Sequence, residues 1–590
     1  MLKGLVDLIL SCVFLSLMLA AGRPVRAGTA TLSEVCPRPA PGALVPEPED
    51  LRSENGTLHV DMHIRNQREA AGSWRFCYVL GSGAQAPTLR LHPGDLLVLR
   101  LKNELNIEPG APPDAHQHAP PDAHRHAPPD AHRHAIAADP CASGDMELSA
   151  TNLHFHGLTI PAQCHQDEVL KTSIRAGDPP FEYRFRIPAD EPPGLYWYHP
   201  HIHGFSTPQV LGGASGALII EGIEQANPQV AGLPERVLVI RDQNLLNPDA
   251  PPASSEPVVP KMLIDRDGDA ANNGTGFGKP AKDLSINYVP VPYPDYPPAL
   301  ISIRPHERQL WRVLNASAIT YLNLAVIFNR KPQPLGIVAL DGVPLNANGN
   351  AANEIEPRDH IGVPPGGRVE FIVEGPAAGE SGLFVTRTVD TGQGGENDPN
   401  RAIARIVSAE TAPEPRSILA ASPPGAASPA RTASSTRPWL GDVQPVRVRK
   451  LFFSERLRDA SNPNSATDFY LTVDGEEPRA FDPAATQPNI VVKHGDVEDW
   501  IIENRSSELH AFHIHQLHFI LVGFNGMSVN EPFLRDTVNV PYYNGRALQY
   551  PSVRLRMDFR DPNAVGTLVY HCHLLEHEDG GMMGTVRVEK

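Results

Sequence analysis

The sequence predicts an all-β protein built from several β-sandwiches. At 590 residues it is too long for one hydrophobic core, which implies about three or four domains. Short runs rich in Val, Ile, Leu and Tyr recur along the chain, broken by many of its 61 prolines and 47 glycines. Stretches with apolar residues three and four apart, the mark of amphipathic helices, are scarce.

The N-terminus reads as an export signal over residues 1–27. Lys3 supplies a thin positive region, Leu8 to Ala21 an apolar run, and Val25-Arg26-Ala27 a small-residue cleavage site. The run is short for a membrane span, so membrane association is expected only if the segment stays uncleaved. No twin-arginine pair precedes it, which points to export of an unfolded chain, with a periplasmic or secreted destination. Ile9-Leu10-Ser11-Cys12 resembles a lipidation box but sits inside the apolar run.

A first unit over 46–223 ends in the strand-like Gly216-Ala217-Leu218-Ile219-Ile220. A second, 234–411, opens near Arg236-Val237-Leu238-Val239-Ile240. Residues 412–438 are rich in Pro, Ala and Ser and read as a flexible linker, and a third unit covers 440–590. Within the first unit, residues 111–134 repeat Ala-Pro-Pro-Asp-Ala-His-X-His three times, giving His116/His118, His124/His126 and His132/His134. The period is too short for packed repeats, so an exposed inserted loop is expected, either a spacer or a weak trap for Cu(II) or Zn(II).

Once the signal is set aside, Cys36, Cys77, Cys141, Cys164 and Cys572 remain. In an oxidising compartment the first four make two disulfides, with three connectivities open. Cys572 lies between His571 and His573 and reads as a thiolate ligand. The net charge of −17 argues against a nucleic-acid partner, since phosphate binding needs a basic face.

Four short motifs concentrate ten histidines: His154-Phe155-His156, His199-Pro200-His201, His510-Ala511-Phe512-His513-Ile514-His515, and His571-Cys572-His573 with His577. On a strand, His-X-His puts both imidazoles on one face because side chains alternate. One such pair is weak, but four in two blocks at opposite ends of the chain predict a shared metal cluster. Alternation also sends Cys572 to the face opposite His571 and His573. The odd offset of His510 from His513 and His515 turns it toward the sulfur. Cys572, His510, His577 and Met582 make up the thiolate, two imidazoles and thioether of a blue-copper electron-transfer site. Met583 is the competing axial ligand, and the five-residue step from His577 favours Met582. Structural zinc could use such ligands but explains no redox bridge.

These motifs, with Leu195-Tyr196-Trp197-Tyr198-His199-Pro200-His201 and Asp536-Thr537-Val538, resemble those of the multicopper oxidases. The resemblance covers nearly the whole mature chain and implies three consecutive cupredoxin-like Greek-key sandwiches, the middle one copper-free. It implies four copper ions: one type 1, one type 2 and a type 3 pair. Carried over by position, His510, Cys572, His577 and Met582 would hold type 1, and His154 and His513 type 2. His156, His199, His201, His515, His571 and His573 would hold the type 3 pair. His203 has no matching role. Glu578 and Asp167, with Glu168 as a rival, match the acids that relay protons. The implied reaction takes four electrons singly from a reductant, through Cys572 and its flanking histidines, to reduce O2 to water.

The laccase-like expectation is oxidation of phenols or aromatic amines. The alternative is a metallo-oxidase for Cu(I), Fe(II) or Mn(II) in metal resistance. Nine methionines without a cluster disfavour Cu(I). A non-enzymatic copper-binding protein would need no electron bridge, and a two-domain copper nitrite reductase lacks the paired histidines beside the cysteine. Asp265, Asp267 and Asp269 near Asn272 and Asn273 depart from the EF-hand order and read as a polar turn. Asn55-Gly56-Thr57 and Asn273-Gly274-Thr275 fit the glycosylation pattern, which carries little meaning in a bacterial host.

Overall fold

The structure, a computed structural model, describes residues 34–69, 72–107, 139–142, 146–251, 279–350, 352, 354–420, 437–462, 465–529 and 531–590. The expected signal segment, the repeat at 111–134, the polar turn at 265–273 and residues 421–436 of the expected linker lie outside them.

Among the described residues the strands form six sheets in three successive pairs. The pairs share one plan. In one sheet of each, a long strand runs parallel to a later one: Thr57–Arg68 with Leu96–Asn103, Pro234–Gln243 with Arg308–Asn315, and Arg447–Leu457 with Val497–Asn504. In the facing sheet, Thr88–Leu91 runs parallel to Gly216–Ile220, Ala299–Ile303 to Arg401–Ser408, and Ile490–Lys493 to Met583–Glu589. Parallel neighbours need crossovers, so the sheets are all-β sandwiches and not meanders.

Binary alternation makes the cores. In Thr57–Arg68, Leu58, Val60, Met62 and Ile64 are buried and pack against Leu89, Leu218 and Ile220 of the facing sheet. Each such side chain contributes about 1.5–3 kcal/mol of transfer free energy. Leu238 and Ile301 do the same in the second sandwich, and Leu451, Trp500 and Val586 in the third.

Secondary apolar seams join the sandwiches. Leu195 and Trp197 of the first meet Val237, Val239 and Leu314 of the second. Val210 and Leu211, Ala318 and Ile319, and Leu575 form a cluster with members from all three. Asp579, ending the helix Leu575–Asp579, accepts the backbone N–H groups of Ser206 and Thr207 at the start of the helix Ser206–Leu211. The last histidine motif is thereby held against the second.

The open disulfide question is settled as Cys36–Cys77 and Cys141–Cys164, with Cys572 free and buried. The stretch read as a linker begins as ordered structure. Ser417–Ile418 pairs with Pro234–Glu235, and Ala412 and Leu419 are buried. Its few apolar residues find a groove on the second sandwich, and Ser417 Oγ hydrogen-bonds Glu235.

Candidate metal centre

Strand register places the histidines. His154–His156 runs antiparallel to Gly194–His199, with His154 opposite His199 and His156 opposite Trp197. In the third sandwich, His510–Ile514 runs antiparallel to Gly566–Cys572, with His513 opposite His571 and Phe512 opposite Cys572. Cross-strand partners share a face, so the imidazoles of His513 and His571 emerge on one side and the thiol on the other.

On the imidazole side, eight buried histidines converge in three groups: His154, His156 and His513; His156, His199 and His573; and His201, His515 and His571. Within each group the ligand atoms lie within 4.8 Å of one another. Rings from the first and third sandwiches interleave, His154 stacking on His515 at 3.8 Å and His156 on His513 at 3.9 Å.

The ring nitrogens show what such a cavity is for. One side of most rings is pinned: His154 Nδ1 on Asp167 at 3.0 Å, His199 Nδ1 on Pro200 O at 3.0 Å, His513 Nδ1 on Asp536 O at 2.8 Å and His571 Nδ1 on Cys572 O at 2.9 Å. The other side is orphaned. His154 Nε2, His156 Nδ1, His199 Nε2, His201 Nε2, His513 Nε2 and both nitrogens of His573 are buried without a hydrogen-bond partner. Burial holds His154, His156, His199, His515, His571 and His573 well below the usual imidazole range, and His201 at about 3. These rings are neutral at physiological pH, each with a free lone pair. Buried lone pairs left unsatisfied in one pocket are costly, and copper among imidazoles satisfies them.

Two carboxylates border the cluster. Asp167 accepts from Phe155 N at 2.9 Å, touches His154 and receives the Gln516 amide. Its sequence rival Glu168 instead caps a turn through the N–H groups of Leu170, Lys171 and Thr172. Glu578 Oε1 lies 3.4 Å from Ser206 Oγ and 3.8 Å from His201 Nδ1, while Oε2 is unpartnered. Burial pushes both carboxyls above the usual range. His203 stands outside the three groups, packs 5.4 Å from the Phe481 ring and is pushed down to about 4 by burial.

On the sulfur side, Cys572 Sγ lies 3.5 Å from His510 Nδ1 and 3.8 Å from His577 Nδ1, and the two nitrogens are 3.2 Å apart. Burial pushes the thiol up, so a bound cation is needed to hold it as thiolate. Met582 shares the core cluster of Cys572, and its carbonyl accepts from Cys572 N at 3.0 Å. Met583 packs with Val169 and Val569 in a separate cluster, away from the sulfur. Phe469 stacks on His577 at 4.2 Å, and Phe453 lies tilted against His510 at 4.7 Å. At the outer edges, His510 Nε2 meets Ser506 Oγ at 2.8 Å and Glu455 at 3.1 Å, and Glu508 lies 3.7 Å from His577 Nε2.

Sequence reasoning missed Gln516, Asp536 and the outer-edge acids Glu455 and Glu508. Asp536 sits 3.2 Å from His156 Nε2, 380 residues away in the chain. Only the resemblance of Asp536-Thr537-Val538 marked that segment, and it assigned no role.

Two family profiles, both described as multicopper oxidase, match residues 147–225 and 458–590, the two stretches that carry the histidines of the three groups and the sulfur site. The chain belongs to the multicopper oxidase family. This multicopper oxidase is thus a copper-dependent oxidoreductase with O2 as acceptor. It is 23% identical to the multicopper oxidase mco of Staphylococcus aureus over 75% of this chain and 77% of that one. Its fold is similar to that of the Campylobacter jejuni multicopper oxidase, described as a metallo-oxidase. The TM-score is 0.60 and the identity 22%, over 94% of this chain and 96% of that one. It is also similar to the laccase-like oxidase CueO of Ochrobactrum sp., which acts on lignin model compounds and lignosulfonate. There the TM-score is 0.57 and the identity 19%, over 92% and 100% of the two chains. Among the described residues, no helix is long and apolar enough to cross a membrane.

Proposed function

We propose that this multicopper oxidase takes electrons singly from a small organic reductant, a phenol or aromatic amine, at the Cys572 site and delivers them to O2 at the histidine cluster. The observation that carries this reading is the placement of one strand end. Cys572 faces His510 and His577, while its two covalent neighbours belong to two different histidine groups. The donor set suits four copper ions. One would be held by Cys572, His510, His577 and Met582, one by His154 and His513, and a pair by the triads His156/His199/His573 and His201/His515/His571. Bound copper would supply one-electron exchange at the sulfur site and the four-electron reduction of O2 to two waters at the cluster.

The chain's own residues do the rest. Asp167 orients His154 so that Nε2 points inward, and Glu578, whose Oε1 lies beside His201, has an unpartnered Oε2 free to carry a proton. Either acid is placed to pass protons toward the oxygen site. Phe469 and Phe453 cover the two sulfur-site imidazoles and keep water off them. Two disulfides and the signal-like N-terminus support an exported, periplasmic or secreted protein.

A second reading has its own support. Glu455 and Glu508 stand at the outer edges of the imidazoles where a donor would arrive, which favours a cation such as Fe(II) or Mn(II). The test is twofold. The copper-loaded protein is expected to absorb at about 600 nm through thiolate-to-copper charge transfer, and Cys572→Ser to lose that band. A folded, copper-loaded protein without it sinks the sulfur-site assignment. Steady-state kinetics with a phenol and with Fe(II), in wild type and Glu508→Gln, then separates the donors. A raised KM for Fe(II) alone identifies the metallo-oxidase.

A further inference from the structure

The middle sandwich supplies no member of the four ligand groups, yet through Arg368 it reaches the histidine cluster. Arg368, at the start of the strand Arg368–Glu374, is fully buried. All five of its N–H groups have acceptors. Nε donates to Leu195 O of the first sandwich at 3.2 Å. Nη1 donates to Gly366 O at 3.1 Å and to Asp536 Oδ1 at 2.8 Å. Nη2 donates to Asp341 O at 2.9 Å and to Asp536 Oδ2 at 2.6 Å. One guanidinium therefore ties three sandwiches together and grips the Asp536 carboxylate with both arms.

Asp536 passes that grip to two rings of the cluster. Its Oδ1 also accepts from Thr537 Oγ1 at 2.8 Å and lies 3.2 Å from His156 Nε2, while its carbonyl accepts from His513 Nδ1 at 2.8 Å. The two stacked rings are thus held in opposite senses. His156 is left with Nδ1 orphaned toward its neighbours, and His513 with Nε2. Backbone closes tightly on the clamp and, from the middle sandwich, on the cluster. A Cβ on Gly157, the residue after His156, would collide with Arg368 Nη2 and Asp536 Oδ2. A Cβ on Gly366 would lie 2.6 Å from His573 Nε2.

We propose that Arg368 is a positioning residue of the histidine cluster. By clamping the Asp536 carboxylate it keeps the His156 proton on Nε2 and so commits Nδ1 as the atom offered to copper. The fork is required, because a lysine ammonium is a point charge and cannot hold both carboxylate oxygens in one plane. Without the clamp, Asp536 is a buried carboxylate with an unpaired charge, free to turn from His156. The proposal rests on the copper reading above.

The test uses the full chain reconstituted with copper, as Arg368→Met, Arg368→Lys, Asp536→Asn and the double variant Arg368→Met/Asp536→Asn. Copper per chain, the electron paramagnetic resonance spectrum of the cluster copper and the absorption near 600 nm are read together. Each variant is expected to keep the absorption band at wild-type intensity. Copper in the cluster should fall at least about threefold, with altered hyperfine splitting. Lysine should fail to rescue, and the double variant should be no worse than Asp536→Asn. Should Arg368→Met not fold, Asp536→Asn decides, since it keeps size and shape. Folded variants with full copper and an unchanged spectrum overturn the proposal, as does loss of fold in Asp536→Asn, which would leave the pair a purely stabilising role. A wild-type protein without the band overturns the copper reading itself, and this proposal with it.

Discussion

The two candidate metal centres are separated by single peptide bonds at His571-Cys572-His573, yet they are assembled in opposite ways. The sulfur site is local. His510, Cys572, His577 and Met582, the covering rings Phe453 and Phe469, and the edge acids Glu455 and Glu508 all belong to the third sandwich. The histidine cluster is divided, with His154, His156, His199 and His201 from the first sandwich interleaved with His513, His515, His571 and His573 from the third. One site is complete once a sandwich folds. The other exists only where two sandwiches dock, so its integrity reports on the docking.

The largest effects should come from breaking each centre alone. Cys572→Ser is expected to abolish the band near 600 nm and lower turnover by about 10³-fold or more, with the cluster copper retained. His513→Ala should cost as much turnover and leave the band intact. Optical and paramagnetic spectra with metal analysis check both. If either substitution empties both centres, the two are one cooperative unit and the contrast fails.

Smaller, and confined to the divided site, are the acids. Asp167→Asn and Glu578→Gln are each expected to lower O2 turnover by about 10²-fold with copper content and the band unchanged, if each is the proton donor proposed above. A loss of copper instead would show that the carboxylate orients its histidine and moves no proton.

What could be read from the chain alone follows the same division. Parity along a strand separated Cys572 from His571 and His573, and turned His510 from His513, because side-chain direction is a local property. The preference for Met582 over Met583 was local too. Apart from the histidines themselves, partners brought together by docking left no such mark. Arg368 and Asp536 are 168 residues apart and Gln516 and Asp167 are 349 apart, and nothing near any of them in sequence announces the contact. Pairing among four cysteines is equally non-local. The ordered start of the expected linker was missed because Ser417–Ile418 is only two residues long, too short for alternation to show.

Docking should also carry a pH signature. Glu191 is buried and accepts from Thr159 N at 3.1 Å, and Thr159 O accepts from Asn563 Nδ2 of the third sandwich at 3.2 Å. Burial pushes the Glu191 carboxyl up to about 8, from 4.5 in the unfolded chain. The folded state therefore binds this proton more tightly. Its stabilisation is complete below the unfolded value and is lost as pH rises through about 8. Thermal melts from pH 5 to pH 8.5 should show the midpoint falling by a few degrees, about what a 1 kcal/mol change produces. Glu191→Gln should flatten that slope, and a slope unchanged by it removes Glu191 as the cause.

The smallest effect separates two adjacent methionines. Met582 lies in the core cluster of Cys572, so Met582→Leu, which removes its thioether from that cluster, is expected to shift the absorption band and raise the reduction potential while the fold is kept. Met583 packs against Val169 of the first sandwich, so Met583→Leu should leave the spectrum untouched and cost under about 1.5 kcal/mol of stability. That cost belongs to the seam between first and third sandwiches. One residue step along the chain thus crosses from the local site to the docking seam, and a spectral shift from Met583→Leu would erase the boundary between them.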